Sequence, residues 1–121
     1  MKNLPTLKLN KEFKRAYFQG KFKANPLLVT YMVKNRLGYH RVGITTSKKI
    51  GTAVLRSRAR RVIRAAFVQI RDELTFPAGY DIVFVARPDT AARKSYEVAE
   101  VMKKQLSYLL RQPDPKRKGR R

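Results

Sequence analysis

No cysteine occurs among the 121 residues, which excludes disulfides, thiol nucleophiles and zinc sites of the cysteine type, and leaves nothing that demands an oxidising compartment. Histidine is nearly absent as well: His40 stands alone, with no second imidazole or thiol to complete a nucleophile–base pair. Carboxylates number only 8 and are scattered rather than paired. A protein nuclease site needs clustered carboxylates for metal ions or for a general acid and base, so no catalytic and no metal-ligating residue is assigned. Long apolar runs are missing too: nowhere do about eighteen apolar residues follow one another, and the opening "MKNLPTLKLNKEF" is too polar for a signal peptide. The expectation is a soluble cytoplasmic protein with no membrane partner.

Positive charge is what the chain has in excess. Against 8 acids stand 29 Lys and Arg, a formal net charge of +21, whose self-repulsion costs a free monomer some compactness and calls for a polyanionic partner. The field is concentrated, because no acid falls between Glu12 and Asp72, a stretch carrying fifteen Lys or Arg. The length and the 43% hydrophobic content suit one domain, placed at residues 1–112. The basic end "PDPKRKGRR", residues 113–121, is expected to be disordered.

Along the chain, "NKEFKRAYF" reads as a short amphipathic helix, with Asn10 as N-cap, Glu12 in the first turn, Phe13 and Tyr17 four apart on one face, and Gly20 ending it. "PLLVTYMVK" reads as a strand placing Leu27, Val29, Tyr31 and Val33 on one face. After the turn "NRLG", the strand "YHRVGITTS" returns, and Gly43 marks a bulge or a close backbone approach. Lys21 to Asn25 adds a short further strand. "YDIVFVA", nearly continuous in apolar residues, reads as a central strand buried on both faces. A last helix starts near Ser95 as N-cap, repeats Val98, Val101, Met102, Leu106 and Leu109 at helical spacing, and stops at Pro113.

The most informative stretch is "SKKIGTAVLRSRARRVIRAAF", Ser47 to Phe67. On a wheel of about 100° per residue, starting near Thr52, Leu55, Ala59, Val62, Ala66 and Ile70 form an apolar stripe. Arg56, Arg60 and Arg64 follow at i, i+4 and i+8 roughly opposite, joined by Arg71; Ser57 and Arg61 widen this face, and Arg58 flanks the other edge. Like charges at this spacing repel by a few tenths of a kcal/mol per pair, and no acid is interleaved. A merely solvated helix mixes signs, whereas guanidinium groups grip phosphate oxygens in pairs and stack on bases. Lys48 and Lys49, just upstream, reinforce an anion site at the helix start. A single glycine and no G-x-x-x-x-G-K-[ST] pattern argue against a P-loop.

"RVGITTSKKIGTAVLRSRARRVIRAAF" resembles the signature region of the bacterial ribonuclease P protein subunit. Arg56, Arg58, Arg60, Arg61 and Arg64 occupy the family's basic positions, while Ser57 stands where the family motif has asparagine. A hydroxyl cannot offer both a carbonyl and an amide. The first helix, the strand with Tyr31, "YDIVFVAR" and the last helix follow in the family's order, so the likeness spans roughly residues 4 to 112. It implies an α+β fold in αβββαβα order: a two-layer sandwich of a four-stranded, mainly antiparallel sheet and three helices, with a left-handed β-α-β crossover.

The resemblance also implies work: binding the catalytic ribonuclease P RNA and the 5′ leader of precursor tRNA. The RNA and its bound Mg²⁺ would perform the phosphodiester hydrolysis. Lys48, Lys49, Arg56, Ser57, Arg58, Arg60, Arg61 and Arg64 then face the catalytic RNA. Aromatics on an amphipathic helix or a sheet face usually pack inward, yet the family places Phe13, Tyr17 and Tyr31 in a leader cleft, beside Lys14, Arg15 and Arg41. Stacking there is worth about 1–3 kcal/mol per base. Phe67, Phe76 and Phe84 read as core. The alternative is a ribosomal or ribosome-assembly protein binding folded rRNA; a DNA-compacting role lacks any helix-turn-helix, finger or zipper pattern.

Overall fold

A computed structural model describes residues 5–77 and 79–114 of the chain; of the basic end, residues 115–121 lie outside the described residues. The elements run α1 (Asn10–Gln19), β1 (Lys21–Asn25), β2 (Leu28–Lys34), β3 (Arg41–Thr45), α2 (Ala53–Ile70), β4 (Tyr80–Ala86) and α3 (Ser95–Arg111), the expected order. The strands form one sheet in the order β1-β2-β4-β3. β1 with β2 and β2 with β4 pair antiparallel, whereas β3 and β4 run parallel with α2 between them in sequence, so the sheet is mixed. Central β4 is buried along almost its whole length, as its unbroken apolar run requires.

Helix starts depart from the expectation by one residue, for a common reason. In α1 the N-cap is Leu9, and the Glu12 side chain accepts the N–H groups of Lys8 and Leu9 at 2.9 and 3.0 Å. In α3 the N-cap is Lys94, whose N–H donates to Glu97 at 3.0 Å. An N3 glutamate reaching back does the capping, so Asn10 and Ser95 are first helical residues, and the Ser95 hydroxyl instead accepts from Gln69 Nε2 at 2.7 Å. Thr52 does cap α2, its Oγ1 accepting from the N–H of Leu55 at 3.2 Å.

Two cores lie on opposite faces of the sheet. The larger packs α2 and α3 against Leu28, Met32, Ile82 and Phe84; Leu27 belongs here too, because it precedes β2 in the turn and escapes that strand's alternation. A buried polar clamp fastens α3 to β2: Gln105 accepts from Thr30 Oγ1 at 2.6 Å and donates to the Leu28 carbonyl at 2.8 Å. The smaller core places α1 over the other face, around Leu7, Ala16, Val33 and Val83. The segment before α1 runs beside β3 through a parallel bridge between Thr6 and Val42, with Leu7 N–H donating to the Val42 carbonyl at 3.1 Å.

The buried stripe of α2 is Ala59, Ile63, Ala66, Phe67 and Ile70, rotated from the expected one. Leu55 is 41% exposed and Val62 half-buried, while Phe67 reaches Phe84 with ring centroids 5.7 Å apart. With Ala59 at zero on the wheel, the buried arc spans about −20° to 80° and Arg56, Arg60, Arg71 and Arg64 fall at about 60° to 140°. The arginine row therefore borders the buried arc rather than opposing it, which leaves those arginines partly buried.

Gly43 marks a close approach, not a bulge: β3 keeps unbroken register with β4, and a Cβ at Gly43 would sit 2.6 Å from Phe13 Cε1. Gly43→Ala should therefore lift Phe13 and α1 from the sheet and cost about 1–3 kcal/mol, measured by urea unfolding. A loss below a few tenths of a kcal/mol would show that α1 rests on the sheet without needing this contact.

Candidate nucleic-acid interface

Three of the five arginines of α2 are held by neutral acceptors. Arg56 Nη1 donates to the Gly51 carbonyl at 2.9 Å, Arg60 Nη1 to Thr46 Oγ1 at 2.9 Å, and Arg58 Nε to the Ala91 carbonyl at 2.6 Å. Each contact uses one of five donors and fixes the side chain while the charge stays uncompensated. The ion pairs among the described residues engage Arg15, Lys21, Lys34, Arg41, Arg93 and Lys103, and none engages an arginine of α2. Arg61 is exposed, and Arg64 and Ser57 are half-buried. Lys48 and Lys49 are exposed in a separate single turn, Lys48–Ile50, one glycine before α2. The eight residues expected to face an RNA thus lie along one helix and its lead-in, where a pre-set row of guanidinium groups suits a phosphate backbone.

The rings gather on the other face of the sheet. Tyr17 meets Tyr31 edge-on at 4.9 Å between centroids, and Phe22 stacks on Tyr31 at 5.3 Å. Tyr17 is 38% and Phe22 57% exposed, so this string of rings presents surface to solvent. Phe13 sits deeper, half-buried against Gly43 and the smaller core. Phe22 escaped the sequence reading; its signal is the register of the β1–β2 hairpin, which sets it directly across from Tyr31. Lys14 is exposed on α1.

The two arginines expected in this cleft are also tied into the fold around it. Arg41 donates to both oxygens of Asp81, Nε to Oδ1 at 2.9 Å and Nη2 to Oδ2 at 2.8 Å, and Nη1 reaches Glu12 Oε2 at 2.9 Å. Its charge is met by two carboxylates, and through them it ties the first turn of α1 to the sheet. Arg15 donates to the Lys34 carbonyl at 2.5 Å and lies 3.6 Å from Asp81 Oδ2, with its side chain 37% exposed. Glu12 is held below the ordinary carboxylate value by the Leu9 and Lys8 N–H groups and then by the Arg41 charge. Hydrogen bonding to Asp81, foremost, keeps Arg41 more firmly protonated.

A cleft of about 230 Å³ opens at the β3 edge, lined by Leu7, Gly43, Ile44, Arg60, Arg64 and Phe67, among others. His40 accepts the Tyr80 N–H at Nδ1, 3.1 Å, and burial lowers its pKa; it serves structure here. Among the described residues, no three His, Asp or Glu side chains converge in a way that holds a metal ion, and no helix is long and apolar enough to cross a membrane.

Comparison with known proteins is consistent across sequence and fold. A family model described as Ribonuclease P matches residues 1–110. The ribonuclease P protein component of Clostridioides difficile is 49% identical over 81 residues, 67% of this chain and 70% of that protein. That of Clostridium botulinum is 38% identical over 96 residues, 79% and 86% of the two chains. Among solved structures, the Staphylococcus aureus RNase P protein aligns with a TM-score of 0.72 at 30% identity, covering 85% of this chain and 93% of that one. The Thermotoga maritima RNase P protein gives 0.71 at 28%, covering 89% and 97%.

The different standing of the arginines is measurable. Arg41→Ala strips the main partner from Asp81, which is 1% exposed, and should cost about 3 kcal/mol of stability. Arg61→Ala should change stability by less than about 0.5 kcal/mol. Equal losses in chemical denaturation would contradict the assignment of Arg41 to the fold and Arg61 to the surface.

Proposed function

The chain belongs to the ribonuclease P protein family, and from that premise we propose that its two surfaces take two different RNAs. As the protein subunit of ribonuclease P it works with ribonuclease P RNA. Lys48, Lys49 and the row from Arg56 to Arg64 grip phosphates of that RNA, with Ser57 donating or accepting a single hydrogen bond where the motif asparagine offers an amide. On the other face, Tyr17, Phe22 and Tyr31 stack bases of the single-stranded 5′ leader of precursor tRNA, Phe13 supports them from below, and Lys14 and Arg15 track its phosphates. Hydrolysis of the phosphodiester that frees the mature tRNA 5′ end falls to the RNA. Mg²⁺ belongs to RNA phosphates in this reading, since the described residues of this chain supply no converging donor set, and no step is routed through a protein-bound ion.

One observation carries the division. In a chain with 8 acids and 29 bases, the carboxylates that form ion pairs secure other parts of the fold and leave the α2 row uncompensated. Replacing Arg60, Arg61 and Arg64 together by alanine should weaken binding to ribonuclease P RNA and lower the slope of log K against log salt by roughly 0.7–0.9 per lost phosphate contact. An unchanged slope, in a variant with unaltered circular dichroism, would remove the row from the interface.

The ring string makes a separate prediction. Phe22→Ala or Tyr31→Ala should weaken binding of precursor tRNA to the reconstituted holoenzyme about tenfold, the equivalent of about 1.4 kcal/mol, and leave affinity for mature tRNA unchanged. Equal losses for both tRNAs would mean that the rings do not read the leader. Wild-type protein should also stimulate correct 5′ cleavage at low Mg²⁺; failure to do so, with tight rRNA binding, would favour the ribosomal alternative.

A further inference from the structure

Beyond the ring string and the main arginine row, a further concavity lies at the far end of α2. It measures about 610 Å³, within the size range of small-molecule sites, and lies between the turn after α2 and the loop preceding β3, with Tyr39, His40, Phe67, Arg71, Asp72 and Phe76 in its wall. The His40 ring packs against Phe76 at 4.2 Å between centroids, and Tyr39 is 49% exposed. Because His40 Nδ1 accepts the Tyr80 N–H at 3.1 Å, the proton of the neutral imidazole sits on Nε2, which is thereby a donor of fixed position. Burial favours that neutral form.

Two observations say what fits here. Arg71 continues the side of α2 that carries Arg56, Arg60 and Arg64, and no ion pair among the described residues engages it. Phe67 lines both this cleft and the one flanked by Arg60 and Arg64, so the two are neighbours on either side of one side chain. A strand whose phosphates follow the row is led to a pocket offering ring faces, a fixed N–H donor and a terminal guanidinium. Stacking on aromatics beside an arginine is how unpaired bases are held.

We infer that this cleft receives one unstacked nucleotide of the RNA bound along α2, its base against Phe76 and Tyr39 and its phosphate on Arg71. The identity of the strand rests on the function proposed above, but the pocket is testable without it. His40 is the only histidine of the chain, so its imidazole gives a single NMR signal at the pocket wall. Adenosine monophosphate, titrated into the full chain at near-neutral pH, should shift that signal saturably; inorganic phosphate at equal concentration should not. Arg71→Gln and Phe76→Leu should each weaken adenosine monophosphate binding at least fivefold, while Lys104→Gln on α3 should not. If Phe76→Leu fails to fold, the Arg71 variant decides alone. An unmoved His40 signal, an equal shift with phosphate, or unaltered binding by Arg71→Gln overturns the inference. Loss of ribonuclease P RNA binding by the α2 triple variant tests only the earlier reading, so the two can fail independently.

Discussion

The seating of α1 on the ring-bearing face depends on the carboxylate of Asp81. It lies on the central strand β4, 1% exposed, and draws together Arg41 of β3, Asn35 beyond β2 and Arg15 of α1. Through Arg41 it also reaches Glu12, which caps α1. A buried ion cluster of this kind adds little net stability over a well-packed apolar substitute. Its effect is on placement, because α1 has to lie where two of its side chains meet partners on the sheet. That fixes the angle at which Tyr17 stands over Tyr31. Remove the carboxylate and α1 keeps its apolar underside but loses the polar contacts that choose one orientation from several.

Scarcity of negative charge makes such placement decisive. In most proteins a given arginine finds some acid nearby. Here the few carboxylates that form ion pairs lie on α1, β4, the turn after α2, the first turn of α3 and Asp114. Arg56, Arg58 and Arg60 of α2 are left with carbonyl and hydroxyl acceptors, which orient a guanidinium without neutralising it. Partial burial of their stems beside the core removes rotamer freedom before any partner arrives, and that lowers the entropy lost on binding. The rotation of the helix that the wheel missed therefore has a functional side: arginines at the border of the core are better organised than arginines pointing straight into water.

How much of this was legible in the sequence follows from the range of each interaction. The element order, the central strand in "YDIVFVA", the start of α2 near Thr52 and the acid-free helix are written in local pattern, and they stand in the structure. Arg41 looked available because its partner Asp81 lies 40 residues away, beyond any local signal. Phe22 was overlooked because its neighbour is set by hairpin register, not by spacing along one element. The phase of the α2 stripe depended on Phe67 reaching Phe84 across layers. Asn10 and Ser95 lost their capping roles to glutamates three residues beyond the true caps, a competition that composition alone leaves open.

The bridge between Thr6 and Val42 has a consequence for how this sheet meets other chains. An open sheet has two raw edges, each a row of unpaired N–H and C=O groups inviting strand addition. On the β3 side the chain's own leading segment occupies part of that row, with hydrogen bonds in both directions between Val42 and residues 5 and 7. On the β1 side the edge strand is only five residues long, and Lys21 there is tied to the Gln112 carbonyl and to Asp114, which fastens the segment after α3 beside that edge. The sheet is thus guarded against strand addition by residues 5–7 on one flank and by the shortness of β1 on the other.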